Sequence, residues 1–178
     1  ESTAFHFADP SIFVHDNKYY LYGTGDQNAG QGFRVFVSDD MKNWKMWEQN
    51  DGYALKKGEA FGTSGFWAPQ VFRHNGKYYM AYTANENIAI AQSDNPAGPF
   101  IQNEKLPLQA PVKQIDPFVF IDDNGKKYLY HVRLDKGNRI FVAEMENDFS
   151  AIKPAHCANA LRRNCPGKIP RRNGPWPK

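Results

Sequence analysis

Two aspartates stand at matching places in the sequence, each before a proline, and a tryptophan lies beside a third such place. Asp9 and Asp116 directly precede prolines, and Trp67 lies one residue before Ala68, which precedes Pro69. A pair of carboxyl groups can divide acid–base work on a glycosidic bond, because one activates water while a protonated acid assists the leaving group. An aromatic ring beside them offers a surface on which a sugar ring can stack. The three side chains therefore favour glycoside chemistry if the fold brings them together.

Three copies of one segment predict how residues so distant in sequence could meet. The copies begin at Asp9, Ala68 and Asp116, which are 59 and 48 residues apart. In each copy an apolar strand and a tyrosine-rich strand are joined by a tight turn, which is the pattern of a β-hairpin. The predicted turns lie at Asp16-Asn17, Asn75-Gly76 and Asp123-Asn124-Gly125. Repeats of about 50 residues are typical of propellers, solenoids and arrays.

Further strands complete the prediction for each repeat. Third strands are predicted at 33–38, 88–93 and 139–144, and weaker fourth strands at 44–47, 99–101 and 149–152. Four antiparallel strands per repeat, without helical periodicity, favour the blades of a β-propeller. We therefore predict an all-β, incomplete propeller domain over residues 1–154, with three four-stranded blades at about 7–50, 66–102 and 114–153.

In such a propeller the first strand of each blade lines the central axis, and all these strands run in the same direction. Asp9, Ala68 and Asp116 should therefore gather at one mouth of the channel, with Trp67 beside them. An Asp-Pro pair also commonly starts a turn, and a tryptophan beside a buried strand commonly packs in the core. Because Ala68 fills the equivalent place in the second copy, the repeat does not need aspartate there to fold.

Composition and charge limit the classes of protein to consider. The chain has 178 residues, of which 41% are hydrophobic, so we expect one folded unit and not a disordered chain. It lacks the ~20-residue apolar run of a membrane helix and begins without a signal-peptide pattern. The net charge of the whole chain is +3. Because residues 155–178 contain six basic and no acidic residues, residues 1–154 carry a net charge of −3. Neither nucleic acid nor a membrane is an expected partner.

The basic, proline-rich tail at 155–178 does not continue the blade pattern, and two explanations stay open for it. It is either a disordered extension that binds an anionic surface or an out-of-frame segment in place of further blades. Cys157 and Cys165 could close a small disulfide, or join His156 in a metal site, although their spacing matches no zinc motif.

The repeat sequences resemble glycoside hydrolase family 43. The similarity covers about residues 7–153 and rests on five segments: Ala8-Asp9-Pro10-Ser11-Ile12, Ser38-Asp39-Asp40-Met41-Lys42-Asn43-Trp44, Phe66-Trp67-Ala68-Pro69-Gln70-Val71, Ala91-Gln92-Ser93-Asp94-Asn95-Pro96-Ala97-Gly98-Pro99-Phe100 and Ile115-Asp116-Pro117-Phe118-Val119-Phe120. The resemblance implies a five-bladed β-propeller that hydrolyses arabinose- or xylose-containing plant carbohydrates with inversion of configuration.

The resemblance also implies roles for individual residues. Asp9 matches the family's general base, and Asp116 matches the second acid, which modulates the pKa of the proton donor and orients the sugar. Trp67 matches an aromatic residue of the substrate pocket, and we add Phe33 to the predicted substrate-binding residues. No metal site is predicted and no cofactor is expected, although calcium occurs in the complete family fold.

One part of the family pattern has no match in this sequence. The family's proton donor is a glutamate in a later blade, and this chain has no acidic residue after Asp148. We therefore expect a glycosidase of impaired activity, secreted or periplasmic, whose uncovered blade faces promote self-association. The alternatives are a carbohydrate-binding pseudoenzyme and a non-catalytic propeller scaffold.

Overall fold

The computed structural model of the protein describes residues 5–25, 29–134, 137–153 and 158–159. Within these ranges the chain is built from β-strands and one short 3₁₀ turn at Asn50–Gly52, and it has no helix long and apolar enough to cross a membrane. The strands are β1 Phe7–His15, β2 Lys18–Gly25, β3 Gly32–Arg34, β4 Phe36–Ser38, β5 Lys45–Met46, β6 Tyr53–Lys56, β7 Trp67–His74, β8 Lys77–Ala84, β9 Asn87–Ser93, β10 Gln114–Ile121, β11 Lys127–Leu134, β12 Asn138–Glu144 and β13 Ala158–Asn159. The predicted all-β class is confirmed.

The strands form three consecutive antiparallel sheets that correspond to the three sequence repeats. We call them blade 1 (β1-β2-β4-β5), blade 2 (β7-β8-β9) and blade 3 (β10-β11-β12-β13). Blade 1 has four strands, as predicted, and blade 2 has three. Blade 3 also has four, but its fourth strand, β13, lies beyond the predicted end of that blade at 153. At the fourth position of blade 2 the backbone forms only a single bridge between Gln92 and Ile101.

The inner hairpins follow the sequence closely. Asp16 and Asn17 join β1 to β2, and Asn75 and Gly76 join β7 to β8, all with positive φ. This left-handed geometry is that of a two-residue type I′ turn, which Asn, Asp and Gly adopt most readily. In blade 3 the connection is longer, because residues 122–126 lie between β10 and β11.

The predicted third strand of the first repeat is wrong in one respect. Residues 33–38 do not form one strand, because the chain changes sheets at Val35. The segment before it, β3, pairs with β6 in a separate two-stranded sheet, and the segment after it, β4, pairs with β2 in blade 1. A buried Val35 donates its N–H to Gly52 and accepts a bond from Trp47, both at 3.0 Å, which fixes the crossover.

The tail prediction needs a correction at one place. Ala158 and Asn159 form β13 and pair with Val142 and Phe141 of β12, so a strand exists in a stretch where the sequence shows no strand pattern. The fourth strand predicted at 149–152 is reduced to a bridge between Met145 and Ile152. The other tail residues, including His156, Cys157 and Cys165, lie outside the described residues.

The core is divided into two layers that lie between successive blades. The first, between blades 1 and 2, contains Tyr22, Phe33, Phe66 and Tyr82, each fully buried; the second, between blades 2 and 3, contains Phe72, Ile88, Leu129 and Phe149. Strand β8 contributes to both layers because its alternate side chains point to opposite faces. Tyr78, Met80 and Tyr82 face the first layer, whereas Ala81 faces the second. Burying one such large apolar side chain contributes about 1.5–3 kcal/mol.

We predict that Gly32→Ala destabilises the chain far more than Gly76→Ala. Both glycines have positive φ, +116° and +79°, so alanine strains the backbone at either place by about 1–2 kcal/mol. At Gly32 an added Cβ would also lie 2.0 Å from the carbonyl oxygen of Leu55, whereas nothing lies within 4 Å at Gly76. Urea unfolding of the two variants measures the difference. Equal losses would show that the β3–β6 contact tolerates separation.

Candidate active site

The two aspartates and Ala68 occupy the same unusual backbone position in their three blades. Asp9, Ala68 and Asp116 have φ of 49°, 47° and 55°, and the strand register shifts around each of them. Left-handed backbone is unfavourable for L-residues, and the following proline restricts the position further. Each inner strand thus starts with a β-bulge, which redirects the side chain that it carries.

Hydrogen bonds from the backbone connect these bulges from blade to blade. The N–H of Ala68 donates to the hydroxyl of Thr24 in blade 1 over 2.9 Å, and the N–H of Asp116 donates to the hydroxyl of Thr83 in blade 2 over 3.0 Å. Between blades 2 and 3, the side-chain amide of Gln70 also exchanges two hydrogen bonds with the backbone of Val119. The starts of the three inner strands are therefore held together at one end of the blades.

The structure brings Asp9 and Asp116 close enough to interact electrostatically. The pKa of Asp116 is raised above its usual range, first because neighbouring atoms remove water from the carboxyl group and second because of the charge of Asp9. Both residues remain exposed to solvent. Two aspartates 107 positions apart in sequence thus lie near each other at one end of the blades, and a raised pKa of this kind also occurs at catalytic carboxyl groups.

Trp67 lies at the same mouth and is half-buried. It pairs across the sheet with Thr83, the residue that holds the backbone of Asp116. Gly65, at φ +60°, leaves room for the indole ring, because a Cβ there would lie 3.0 Å from the ring. The partial exposure gives the ring a surface for a ligand as well as a packed side.

The loop before Trp67 is held by one asparagine. The side-chain oxygen Oδ1 of Asn85 accepts hydrogen bonds from the backbone N–H groups of Thr63 and Ser64, at 3.2 and 3.1 Å, and from both hydroxyls at 3.3 Å. Asn85 adopts positive φ in the tight turn between β8 and β9, which places its side chain toward this loop. The turn of blade 2 thus fixes the approach of the chain to Trp67.

The prediction for Phe33 is not supported by its position. Phe33 is fully buried and packs edge-to-face against Phe66 and Tyr82, with ring centroids 5.8 and 5.5 Å apart. A ring without exposed surface has no face for a sugar. Because Phe66 directly precedes Trp67, Phe33 instead supports the backbone that carries the tryptophan.

Four residues that hold the backbone around the site were not predicted from the sequence: Thr24, Thr83, Gln70 and Asn85. One signal could have found the two threonines: each stands four residues after the second tyrosine of a Tyr-Tyr pair, Tyr19-Tyr20 or Tyr78-Tyr79. For Gln70 and Asn85 the sequence carries no comparable repeat, because the residues at their equivalent positions differ in type.

Metal binding finds no support in this part of the chain. No group of three or more His, Cys, Asp or Glu side chains is placed to hold a metal ion among the described residues.

Comparisons with known proteins agree on one family. The family model for glycosyl hydrolases family 43 matches residues 3–176. A curated relative, xylosidase/arabinosidase 43A of Humicola insolens, is 33% identical over a match covering 80% of this chain and 50% of its own length. A β-xylosidase of Xylanibacter ruminicola is 27% identical, with 95% of this chain and 56% of its own length covered. The chain spans about half the length of these relatives.

Solved structures show the same similarity. The structure of an endo-1,4-β-xylanase from Bacteroides thetaiotaomicron matches with a TM-score of 0.79 and 46% identity, over 86% of this chain and 52% of that one. An endo-arabinase structure from the same species matches with a TM-score of 0.70 and 27% identity, over 84% and 54% of the two chains. The neighbouring structures of this family are five-bladed propellers, of which this chain covers part.

We predict that Asp9→Asn lowers the pKa of Asp116 but leaves it above the ordinary range. The substitution removes the negative charge that opposes ionisation of Asp116, whereas the larger effect of lost hydration stays. Carbon-detected NMR titration of the Asp116 carboxyl group measures the shift. Asp39→Asn, at the far end of blade 1 where Asp39 pairs with Lys18, is the control and should leave the titration unchanged. An unchanged pKa in Asp9→Asn would show that the two carboxyl groups do not interact.

Proposed function

Because the chain belongs to glycoside hydrolase family 43, we propose that its protein hydrolyses arabinose- or xylose-containing plant carbohydrates by an inverting mechanism. The single observation that carries this proposal is that Asp9 and Asp116 lie close together, so that the pKa of Asp116 is raised first by loss of hydration and second by the charge of Asp9. Trp67 stands at the same mouth with part of its ring accessible. Glycosidases place a pair of carboxyl groups beside the scissile bond, and an aromatic ring next to them offers a surface on which a sugar ring can stack.

In this proposal Asp9 is the general base. It takes a proton from a water molecule, whose oxygen attacks the anomeric carbon from the face opposite the leaving group. The bond from that carbon to the leaving oxygen breaks, and the leaving oxygen keeps the electron pair. Exposure of Asp9 to solvent gives it access to water, and its ionised form is the one that accepts the proton.

Asp116 and Trp67 act on the sugar and on the charge of the site. Asp116 orients the sugar and, as a second carboxyl group, favours the protonated form of a nearby acid. Trp67 stacks on the C–H face of the sugar ring. The support of its backbone by Phe66 and by the loop at Thr63 and Ser64 keeps the ring in place without a contribution from ligand binding.

The leaving group has no assigned proton donor in this sequence. The chain has no acidic residue after Asp148, where the family's glutamate would follow. General acid catalysis typically contributes about 10²- to 10⁴-fold to the rate. Hydrolysis by this chain should therefore depend strongly on the leaving group, because a dinitrophenolate departs readily without a proton whereas a sugar alkoxide does not.

We predict that the chain hydrolyses 2,4-dinitrophenyl β-xyloside measurably faster than xylobiose, and that Asp9→Asn lowers kcat on the aryl substrate by about 10²- to 10⁴-fold. Release of dinitrophenolate gives the rate, and proton NMR of fresh product shows whether configuration is inverted. Asp39→Asn is the matched control, because it removes an exposed carboxylate far from the mouth. Turnover that survives Asp9→Asn unchanged would contradict the assignment of the base.

The same experiment separates the alternatives. Binding of xylo- or arabino-oligosaccharides without turnover, lost in Trp67→Ala, would favour a carbohydrate-binding pseudoenzyme. Neither binding nor turnover would favour a scaffold role for the blades. Polymeric carbohydrate lies outside cells, and one of the matched relatives is named an extracellular endo-α-(1→5)-L-arabinanase of Bacillus subtilis. We accordingly propose a secreted or periplasmic location.

We further propose that the chain on its own self-associates from head to tail. Phe13 and Phe72 stand at the same repeat position and pack on the next blade, against Tyr78 and Phe149 respectively. Their equivalent in blade 3, Phe120, is 40% exposed. At the other end, the outward face of blade 1 exposes Ile12 and Val14, whereas Val71 and Val119, the two equivalents of Ile12, are buried against a preceding blade. The two end faces are therefore complementary, which favours a heterologous contact.

We predict that Phe120→Ser and Ile12→Ser each reduce concentration-dependent association of the chain in sedimentation velocity. Either substitution removes apolar surface from one of the two faces, and the contact needs both. Ile101→Ser is the control, because Ile101 is similarly exposed but lies at the outer edge of blade 2. A chain that sediments as a monomer at all concentrations would refute head-to-tail contact.

A further inference from the structure

The hydroxyl group of Thr24 contacts both the carboxylate of Asp9 and the backbone of the next blade. Its oxygen lies 3.0 Å from Oδ2 of Asp9 and 2.9 Å from the backbone nitrogen of Ala68. Thr24 itself is buried, with 8% of its surface exposed, whereas Asp9 is exposed. A buried group of fixed orientation thus meets one oxygen of an accessible carboxylate.

The directions of these two hydrogen bonds follow from the number of protons available. The N–H of Ala68 can only donate, so it occupies a lone pair of the threonine oxygen. The hydroxyl has one proton, and the carboxylate of Asp9 can accept it when ionised. The proton of Thr24 is therefore directed to Oδ2 of Asp9, and the backbone of blade 2 fixes this direction.

Within the described residues, the carboxylate of Asp9 is hydrogen-bonded through one of its two oxygens. Among the described residues, Thr24 is the hydrogen-bond partner of the Asp9 side chain. The other carboxylate oxygen of Asp9, Oδ1, has no protein donor among the described residues, so it can accept a proton from water. A hydrogen bond to one oxygen thus holds the carboxylate while the second oxygen remains available for chemistry.

Blade 3 shows that the hydroxyl is not needed to build the hairpin. The residues equivalent to Thr24 are Thr83 and Val132, which pair with Trp67 and Ile115 at the corresponding places of their blades. Thr83 accepts the backbone N–H of the next blade, as Thr24 does, but its own blade carries Ala68 where blade 1 carries Asp9. Val132 keeps the β-branched shape and has no hydroxyl at all.

We propose that Thr24 is a positioning residue for Asp9, which orients the carboxylate toward the substrate by donating its hydroxyl proton to Oδ2. The contact itself stands on the geometry alone, whereas its catalytic consequence rests on the proposed function. Thr24→Val removes the donor while it retains the side-chain shape. Thr24→Ser retains the donor, and Thr83→Val removes a matched hydroxyl that bonds the backbone but no carboxylate.

The first test is spectroscopic and does not need turnover. NMR of the chain reports the carboxyl ¹³C resonance of Asp9 and, through its coupling constants, the χ1 angle of the side chain. Thr24→Val should move the resonance and average χ1 over several rotamers, whereas Thr24→Ser and Thr83→Val should leave both close to their original values. Equal changes in Thr24→Val and Thr83→Val would overturn the proposal, because they would reflect only the loss of a contact between blades.

The second test is kinetic and uses dinitrophenyl β-xyloside. Misplacement of a reacting group by about 1 Å can cost about 100-fold in rate, so Thr24→Val should lower kcat by about 10- to 100-fold with little change in KM. Thr24→Ser should restore most of the loss. A rise in KM at constant kcat, or no rescue by serine, would contradict a positioning role.

The two tests distinguish failure of this inference from failure of the proposed function. If the chain binds no sugar and shows no turnover, the proposed function fails, and the NMR comparison still decides whether Thr24 orients Asp9. If turnover requires Asp9 but Thr24→Val retains full kcat and an unchanged Asp9 resonance, the positioning role fails and the assignment of the base stands.

Discussion

The left-handed bulge at the start of each inner strand is the constraint on which the rest of the structure depends. It places one residue per blade at the same end of the blades, and in blades 2 and 3 it turns that residue's N–H toward the preceding blade. In blades 2 and 3 a hydroxyl of the preceding blade accepts this N–H, and in all three blades proline follows directly. In blades 2 and 3 the strained residue is thus also the residue that contacts the preceding blade.

The layered core explains how this constraint is transmitted along the chain. Blade 2 buries one face against blade 1 and the other against blade 3, as the alternate side chains of β8 show. Stacking therefore sets the distance between successive bulges, and hence the distance between Asp9 and Asp116. The raised pKa of Asp116 is the electrostatic result, because partial loss of hydration and a like charge act on it together.

The sequence predicted the parts of this arrangement that repeat. The hairpins at Asp16-Asn17 and Asn75-Gly76, the division into three blades and the meeting of Asp9 with Asp116 all follow from short-range turn preferences and from self-similarity. Features present only once were not predictable in this way. The change of sheets at Val35 depends on pairing with β6, some twenty residues away, and periodicity carries no information on such a partner. The prediction that Phe33 binds substrate was wrong for a related reason. The presence of an aromatic residue in the sequence does not reveal whether its ring is buried, and the ring of Phe33 is buried.

The series Thr24, Thr83 and Val132 shows how function can be separated from folding within one repeat protein. All three are β-branched residues at one position of the second strand, and this shape suits a strand whether or not a hydroxyl is present. Valine in blade 3 therefore shows that strand pairing does not select threonine. The two threonines remain to be explained by what they bind, which is the backbone beside Trp67 in one case and that of Asp116 in the other. Only Thr24 also meets a carboxylate, and an internal repeat thus supplies the comparison that would otherwise require related sequences.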